Sequence, residues 1–270
     1  MTGDGVNDAP SIKSADIGIA MGISGTDVTK SASDMVIADD NFATIVAAVR
    51  EGRRISENIR KTVRFFLSTN LAEVLAILVA SIFFPHYTFL LSTQLLWLNL
   101  ITDSFPVLAL GAEKEESDVM TRPPQRAERS LFCKSSVANM LFFGIYITVL
   151  TIAAFAVGLA LWGNAVATTL AFLTVSFAEL FHAFNIRSER KSIFRSGMAL
   201  NKVLIITVLA GVLLNVLLCV SPLAGAFGLT KLSAVQWAAA FLLPLSVIPA
   251  AEIYKAVLRA VCGKRAKKRI

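Results

Sequence analysis

The sequence predicts a mainly α-helical, multi-pass membrane protein headed by a short α/β segment. Three observations predict it. Six apolar stretches each come close to the ~20 residues needed to cross a bilayer. Basic residues gather at one set of their ends and are almost absent from the other. The residues before them carry short apolar runs between glycine-rich turns, a pattern of small strands and helices. The chain has 270 residues, 55% of them hydrophobic and only 17% charged, with a mean hydropathy of +0.66. That is too apolar for an ordinary soluble domain. The net charge of +7 does not point to nucleic acid, because the basic residues sit at the ends of apolar stretches. Cys133, Cys219 and Cys262 are widely separated and fit neither a zinc site nor a disulfide framework. The chain does not open with a basic stretch and an apolar run, so no secretory signal is expected there. It has no internal repeat.

Residues 1–40 read as the α/β piece. Ile17–Met21 and Met35–Ala38 have the look of short buried strands, and residues 26–33 have helical spacing between them. Asp39-Asp40-Asn41 offers an N-cap, followed by Phe42, Ile45, Val46 and Val49 at helical spacing. No proline interrupts the chain from Asn41 to Phe84, which predicts one long helix. Residues 41–62 form its stalk, with Arg50, Arg53, Arg54, Arg60, Lys61 and Arg64 marking the cytoplasmic side.

The spans are expected at Val63–Phe84, Leu90–Leu110, Val137–Trp162, Ala165–Phe184, Val203–Val220 and Val235–Val257, within a membrane domain of residues 63–258. The connections at Pro85–Phe89, Gly163–Asn164 and Ser221–Ala234 hold one Lys and no Arg. The loop Asn185–Lys202 holds Arg187, Arg190, Lys191, Arg195 and Lys202, and residues 259–270 form a basic tail. This asymmetry puts both termini in the cytoplasm. Residues 111–130 contain Arg122-Pro123-Pro124 and read as a linker touching the stalk.

A carboxylate inside a span costs on the order of 3 kcal/mol at the bilayer centre. Glu73, Asp103 and Glu179 lie well inside three different spans. Asn70 precedes Glu73 by one helical turn, and Asn99, Thr102 and Asp103 share a face. Pro106 weakens the helix around residues 102 and 103 and frees backbone carbonyls. The set is all oxygen, which suits a hard cation such as Ca²⁺ and not copper or zinc. The competing reading is interhelical packing, which serves for Asn70 or Thr102 alone. Three carboxylates with amides on matching faces favour ion binding. His182 reads as a packing or hydrogen-bonding group near the helix end, and Asn215 and Glu252 as interhelical and interfacial. Trp97, Trp162 and Trp237 read as packing or interface anchors.

The opening MTGDGVNDAP packs Asp4, Asn7 and Asp8 around two glycines. Such an acidic turn is suited to holding Mg²⁺ against a phosphate. A phosphate-handling turn joined to membrane spans suggests an ion pump driven by phosphoryl transfer. Thr2-Gly3-Asp4-Gly5-Val6-Asn7-Asp8-Ala9-Pro10 resembles the hinge motif of P-type cation-transporting ATPases. The resemblance continues through IGIAMGISGTDVTKSASDMVIADDNFATIVAAVREGR, STNLAEV, QLLWLNLITDSFPVLALG and DVMTRPP. It covers essentially the whole chain and is closest to the sarco/endoplasmic-reticulum-type calcium pumps and their bacterial relatives.

The resemblance implies that the first forty residues are the end of a haloacid-dehalogenase-like phosphorylation domain. Asp4 is then the Mg²⁺ ligand, with Thr2 and Gly3 beside it and Asn7 and Asp8 ordering the phosphate site. Asn70, Glu73, Asn99, Thr102, Asp103 and Glu179 match the family's membrane Ca²⁺ ligands. Asn99 and Glu179 favour a calcium-type over a sodium/potassium-type pump. Mg²⁺ and ATP are the cofactors implied for the parent pump, with Ca²⁺ as the transported ion. The expected partners are the lipid bilayer, the cation and the remaining N-terminal part of the pump, without nucleic acid. A bacterial plasma membrane is the expected location. The phosphorylated aspartate of a DKTGT motif, the nucleotide-binding domain, the TGES loop and four earlier spans have no counterpart in these residues. The expectation is therefore that this polypeptide alone neither hydrolyses ATP nor pumps. The alternatives are a P-type pump for Mn²⁺, Na⁺ or H⁺, or a non-enzymatic ion-binding or channel-like module.

Overall fold

The computed structural model of the chain describes residues 1–115, 118–121, 134–187 and 201–267. The Arg122-Pro123-Pro124 linker, Arg190, Lys191, Arg195, Cys133 and the last residues of the basic tail lie outside them. The described residues form two compact units. One is built on Met1–Ser56, the other on Glu57–Lys114 and the described residues from 134 onward.

In the first unit, β1 (Thr2–Gly3), β2 (Ile19–Met21) and β3 (Met35–Ile37) form a parallel sheet in the order β1-β2-β3. Parallel neighbours need crossovers, and α1 (Ala9–Ser14) and α2 (Asp27–Ala32) supply them. Pro10 sits in the first turn of α1, where its missing N–H costs no helical bond. Thr26 caps α2 by accepting the Thr29 N–H. Ile19, Met21 and Ile37 form the small core, covered by Met35 and Ile45. Hydropathy locates β2, α2 and β3, but β1 and α1 lie in the opening turn, where only the chemistry is legible. Two residues are too few to show a period of two. Also in this unit, Arg53 donates to the Val119 carbonyl at 2.9 Å.

Helix α3 runs unbroken over Phe42–Phe83, about 63 Å at 1.5 Å per residue. Its start is held by a relay of short side chains. Asn41 Oδ1 accepts the Ala43 N–H at 2.9 Å, and Asp39 accepts from the Asn41 N–H and the Thr44 hydroxyl. These bonds satisfy donors that a helix N-terminus leaves free.

In the second unit, five helices among the described residues are long and apolar enough to cross a membrane. They are α3, α6 (Lys134–Trp162), α7 (Asn164–Ile186), α8 (Lys202–Val220) and the pair α9 (Ala234–Leu245) and α10 (Val247–Lys267). The expected span at Leu90–Leu110 is not one helix. It divides into α4 (Ser92–Trp97), a π-helical turn at Leu98–Thr102 and α5 (Ser104–Gly111). The Asp103 N–H reaches back five residues to the Leu98 carbonyl at 2.9 Å. Pro106 has no N–H to offer the Thr102 carbonyl, so regular α-helical bonding cannot continue through this point. The last expected span likewise breaks at Ser246, two residues after Pro244. Tyr146 donates to the Ser246 hydroxyl at 3.0 Å, and Asn185 donates to the Val247 carbonyl at 3.1 Å.

Helix α7 is buried along almost its whole length and forms the axis of the bundle. It packs on α6, α8, α9 and α10. Glycines allow close approach, as expected where lipid gives no hydrophobic drive for helix association. A Cβ on Gly158 would stand 2.9 Å from the Ala167 Cα of α7, and one on Gly144 would stand 2.8 Å from the Leu71 side chain of α3. Thr148 of α6 donates to the Ala72 carbonyl of α3 at 3.1 Å. Gly158→Leu should force α6 from α7 and cost about 1–3 kcal/mol, as overpacking generally does. A lowered unfolding temperature in detergent, beside an unchanged one for Gly225→Ala in open space, checks this.

Candidate functional site

The candidate residues lie on three segments, one of them α7. Glu73 comes from α3, Asn99, Thr102 and Asp103 from the interrupted segment, and Glu179 from α7. Glu73, Thr102, Asp103 and Glu179 are buried; Asn70 is half-buried and Asn99 exposed. The Asn99 amide donates to Glu73 Oε2 at 2.9 Å, which leaves its Oδ1 as the oxygen available to a cation. Thr69 donates to Asp103 Oδ2 at 3.0 Å, and the Thr102 and Ser176 hydroxyls lie 3.3 Å apart. Asn70 donates to the Phe66 carbonyl of its own helix at 2.8 Å.

The remaining carboxylate oxygens are the informative ones. Among the described residues, Glu73 Oε1, Asp103 Oδ1 and both oxygens of Glu179 are buried without any hydrogen-bond partner. Native structures rarely leave buried acceptors unpaired, so each such group calls for an explanation. The three carboxylates also interact electrostatically with one another, with like sign. Four unpaired oxygens among like charges are a donor set for a hard cation. Among the described residues, no three Asp, Glu, His or Cys side chains close around one point.

Thr69 and Ser176 join the site without having stood out in the sequence. Ser176 stands one turn before Glu179, which is a usable signal; Thr69 is merely adjacent to Asn70. His182 does what its position suggests. Its Nε2 lies 3.0 Å from the Ser68 hydroxyl, and its ring packs against Phe143 and Phe65. Asn215 is interhelical as expected, accepting from Trp97 Nε1 at 3.2 Å.

The second candidate site lies wholly in the first unit. Thr2, Gly3, Asp4, Asp8, Met21, Ser24, Asp40 and Phe42 line a concavity of ≈ 440 Å³. Asp8 Oδ2 accepts the N–H groups of Asp4 and Gly5 at 3.2 and 3.1 Å, which fixes the turn. Gly3 is required there, since a Cβ would stand 2.6 Å from that of Asp8. Asp4 is exposed at the mouth, and its fit to a hard cation rests on this oxygen-rich lining. Asn7 is exposed and does not line the concavity.

Asp40 is more than part of a cap. Its carboxylate accepts three successive N–H groups, from Gly22, Ile23 and Ser24, at 2.6, 2.9 and 2.7 Å. It does so from a left-handed backbone, φ +50°, a conformation that Asp tolerates better than most residues. The Ile23 and Ser24 amides pull its carboxyl from 3.8 down to about 2.

A bundle of long apolar helices with buried carboxylates on three of its segments defines the membrane region of a multi-pass protein. The family "Cation transporting ATPase, C-terminus" matches residues 87–257, and the chain belongs to it. It is 45% identical over 267 residues to Calcium-transporting ATPase 1 of Bacillus cereus, covering 92% of this chain and 30% of that protein. It is 39% identical to Calcium-transporting ATPase 3, endoplasmic reticulum-type, of Arabidopsis thaliana, covering 96% of this chain and 29% of that protein. Against Calcium-transporting ATPase type 2C member 1 of Bos taurus it is 39% identical, covering 96% and 27%. The chain thus spans roughly three-tenths of the length of these relatives.

A depressed folded-state pKa stabilises above the unfolded value and is lost as pH falls through the folded one. The Asp40 clamp should therefore hold above about pH 4 and release as pH falls toward about 2. Asp40→Asn keeps the backbone tolerance but removes the charge. Faster deuterium uptake over residues 22–24 at neutral pH, with α7 unchanged, is the expected result.

Proposed function

We propose that this chain is the transport region of an ATP-driven calcium pump. The observation that carries the reading is the set of four buried, unpartnered carboxylate oxygens on Glu73, Asp103 and Glu179. Asn70, Asn99 and Thr102 complete the ligands, with Ca²⁺ as substrate. The calcium-transporting relatives support this choice of cation. Six crossings result if α4, the π turn and α5 traverse the membrane as one interrupted span. The basic flanks of α3 and the α7–α8 connection support cytoplasmic termini, and a bacterial plasma membrane is the proposed location.

The first unit is then the end of a haloacid-dehalogenase-like phosphorylation domain. Asp4 would hold Mg²⁺, flanked by Thr2 and Gly3, with Asn7 beside it and Asp8 bracing the turn. When bound, Mg²⁺ offsets the charge of a phosphoryl group, here one delivered from ATP. Asp40 fixes the loop over Gly22–Ser24 to the start of α3. One unbroken helix leads from there to Asn70 and Glu73. The polypeptide is proposed to act with the remaining N-terminal part of the pump and to be inactive by itself.

Two measurements test this. In the intact pump, Asp103→Asn should abolish Ca²⁺-dependent phosphorylation from ATP, whereas Asp4→Asn should impair phosphorylation and leave equilibrium Ca²⁺ binding intact. Unchanged Ca²⁺ affinity in Asp103→Asn refutes the site, and phosphorylation stimulated by Mn²⁺ or Na⁺ but not Ca²⁺ refutes the cation. For the chain alone in vesicles, ATP-dependent ⁴⁵Ca²⁺ uptake should not exceed that of empty vesicles.

A further inference from the structure

A second polar cluster lies outside the ligand set, in the same unit, where three segments end or begin beside α3. Glu113 follows α5, Arg187 follows α7, Asn201 precedes α8, and Asn58 lies on α3. All four are buried. Arg187 grips Glu113 with two nitrogens: Nη2 at 2.8 Å from Oε1, and Nε at 3.3 and 3.2 Å from Oε1 and Oε2. Asn201 also donates to Glu113 Oε2, while its own Oδ1 accepts the Leu204 N–H at 2.9 Å and caps α8. Asn58 donates to the backbone carbonyls of Gly111 and Glu113 at 3.1 and 2.8 Å. Both oxygens of Glu113 are thus engaged, unlike those of the membrane carboxylates.

The same three ligand-bearing elements are therefore joined at two levels. At the ligand level, Thr69 of α3 holds Asp103, and Thr102 meets Ser176 of α7. At the second level, Asn58 of α3 holds Glu113, and Glu113 holds Arg187. Asn58 to Thr69, Asp103 to Glu113 and Ser176 to Arg187 each span about ten or eleven residues, roughly 16 Å of helix. The spacings match, so the second level fixes the axial register of the elements that carry the ligands. The segment in between contains Pro106 and follows directly on the π turn, so it cannot hold its own register as a continuous α-helix can.

We propose that Glu113 is a positioning residue for cation binding: the Arg187–Glu113–Asn201 clasp sets the register of Asn99, Thr102 and Asp103 against Glu73 and Glu179. This rests on the calcium-site reading above. A buried ion pair adds little net stability over well-packed apolar residues, whereas one lone buried charge is strongly destabilising. The informative variant is therefore the double replacement Glu113→Met with Arg187→Met. Arg187→Lys is the second variant; it keeps the charge but loses the two-nitrogen grip.

The experiment measures ⁴⁵Ca²⁺ affinity at equilibrium and the unfolding temperature, on the full polypeptide carrying this chain, purified in detergent. The double variant should keep its unfolding temperature and bind Ca²⁺ about 2- to 30-fold more weakly, the range for residues that act on a site through a network. Arg187→Lys should fall between it and the wild type, and it carries the test should the double variant fail to assemble. Wild-type affinity in the folded double variant, or in Arg187→Lys should that variant carry the test, overturns the clasp and leaves the ion site standing. Absence of Ca²⁺ binding in the wild type, with phosphorylation driven by another cation, overturns the site reading and the clasp with it.

Discussion

The constraint on which the bundle depends is the burial of three carboxylates among apolar helices. Each costs a few kcal/mol in a membrane unless something offsets its charge. Ordinary core carboxylates are offset by a basic partner or by several N–H donors. Glu113 shows that solution, with both oxygens engaged by Arg187 and Asn201. Among the described residues, Glu73 and Asp103 receive only one neutral hydrogen bond each, and Glu179 none. The contrast sits within one unit, on elements that touch. Packing alone does not account for it, because the same bundle supplies an arginine where it needs one. On the proposed reading, the deficit at the three membrane carboxylates is what a transported cation would fill and then vacate.

The arrangement of α7 follows from this deficit. A helix carrying Glu179 in its middle must be shielded from lipid on all sides, and α7 is buried almost throughout. Its neighbours α6, α8 and α9 keep outward faces rich in exposed apolar residues such as Ile145, Leu209 and Leu242, as lipid-facing helices should. The close approach at Gly158 and Gly211 lets them wrap it tightly. Helix packing here serves to exclude water and lipid from a charge.

Much of this is legible in the sequence because it is local there. Face-sharing by Asn99, Thr102 and Asp103, the cap at Asp39–Asn41, and the weak point near Pro106 all derive from short-range spacing. The family resemblance adds names to residues that burial cost already singles out. What escapes is non-local. Nothing near Glu113 announces Arg187, more than seventy residues away, and in the sequence both read as loop charges beside a membrane. Arg187 counts there as a surface charge that orients the topology, yet it is buried. Thr69 and Ser176 look like ordinary small polar residues until their partners come into reach. Charge counting in loops points to the side of the membrane, but it cannot tell a solvated arginine from one that closes a network.

The broken helix explains why two levels of attachment are needed. A π turn at Leu98–Thr102 points Asn99, Thr102 and Asp103 toward their neighbours, but it gives up the regular hydrogen bonding that makes α3 and α7 stiff. On the proposed reading, a break helps a transporter because it lets ligands move, and harms it because the ligands then lack a defined resting place. Weak neutral contacts at the ligand level, such as Thr69 to Asp103, can be made and broken as the site fills and empties. The charged grip on Glu113 resists that motion and lies about three helical turns away, where it does not compete for the cation. Mobility and register are thus assigned to different interactions on the same short segment, and the fold needs both.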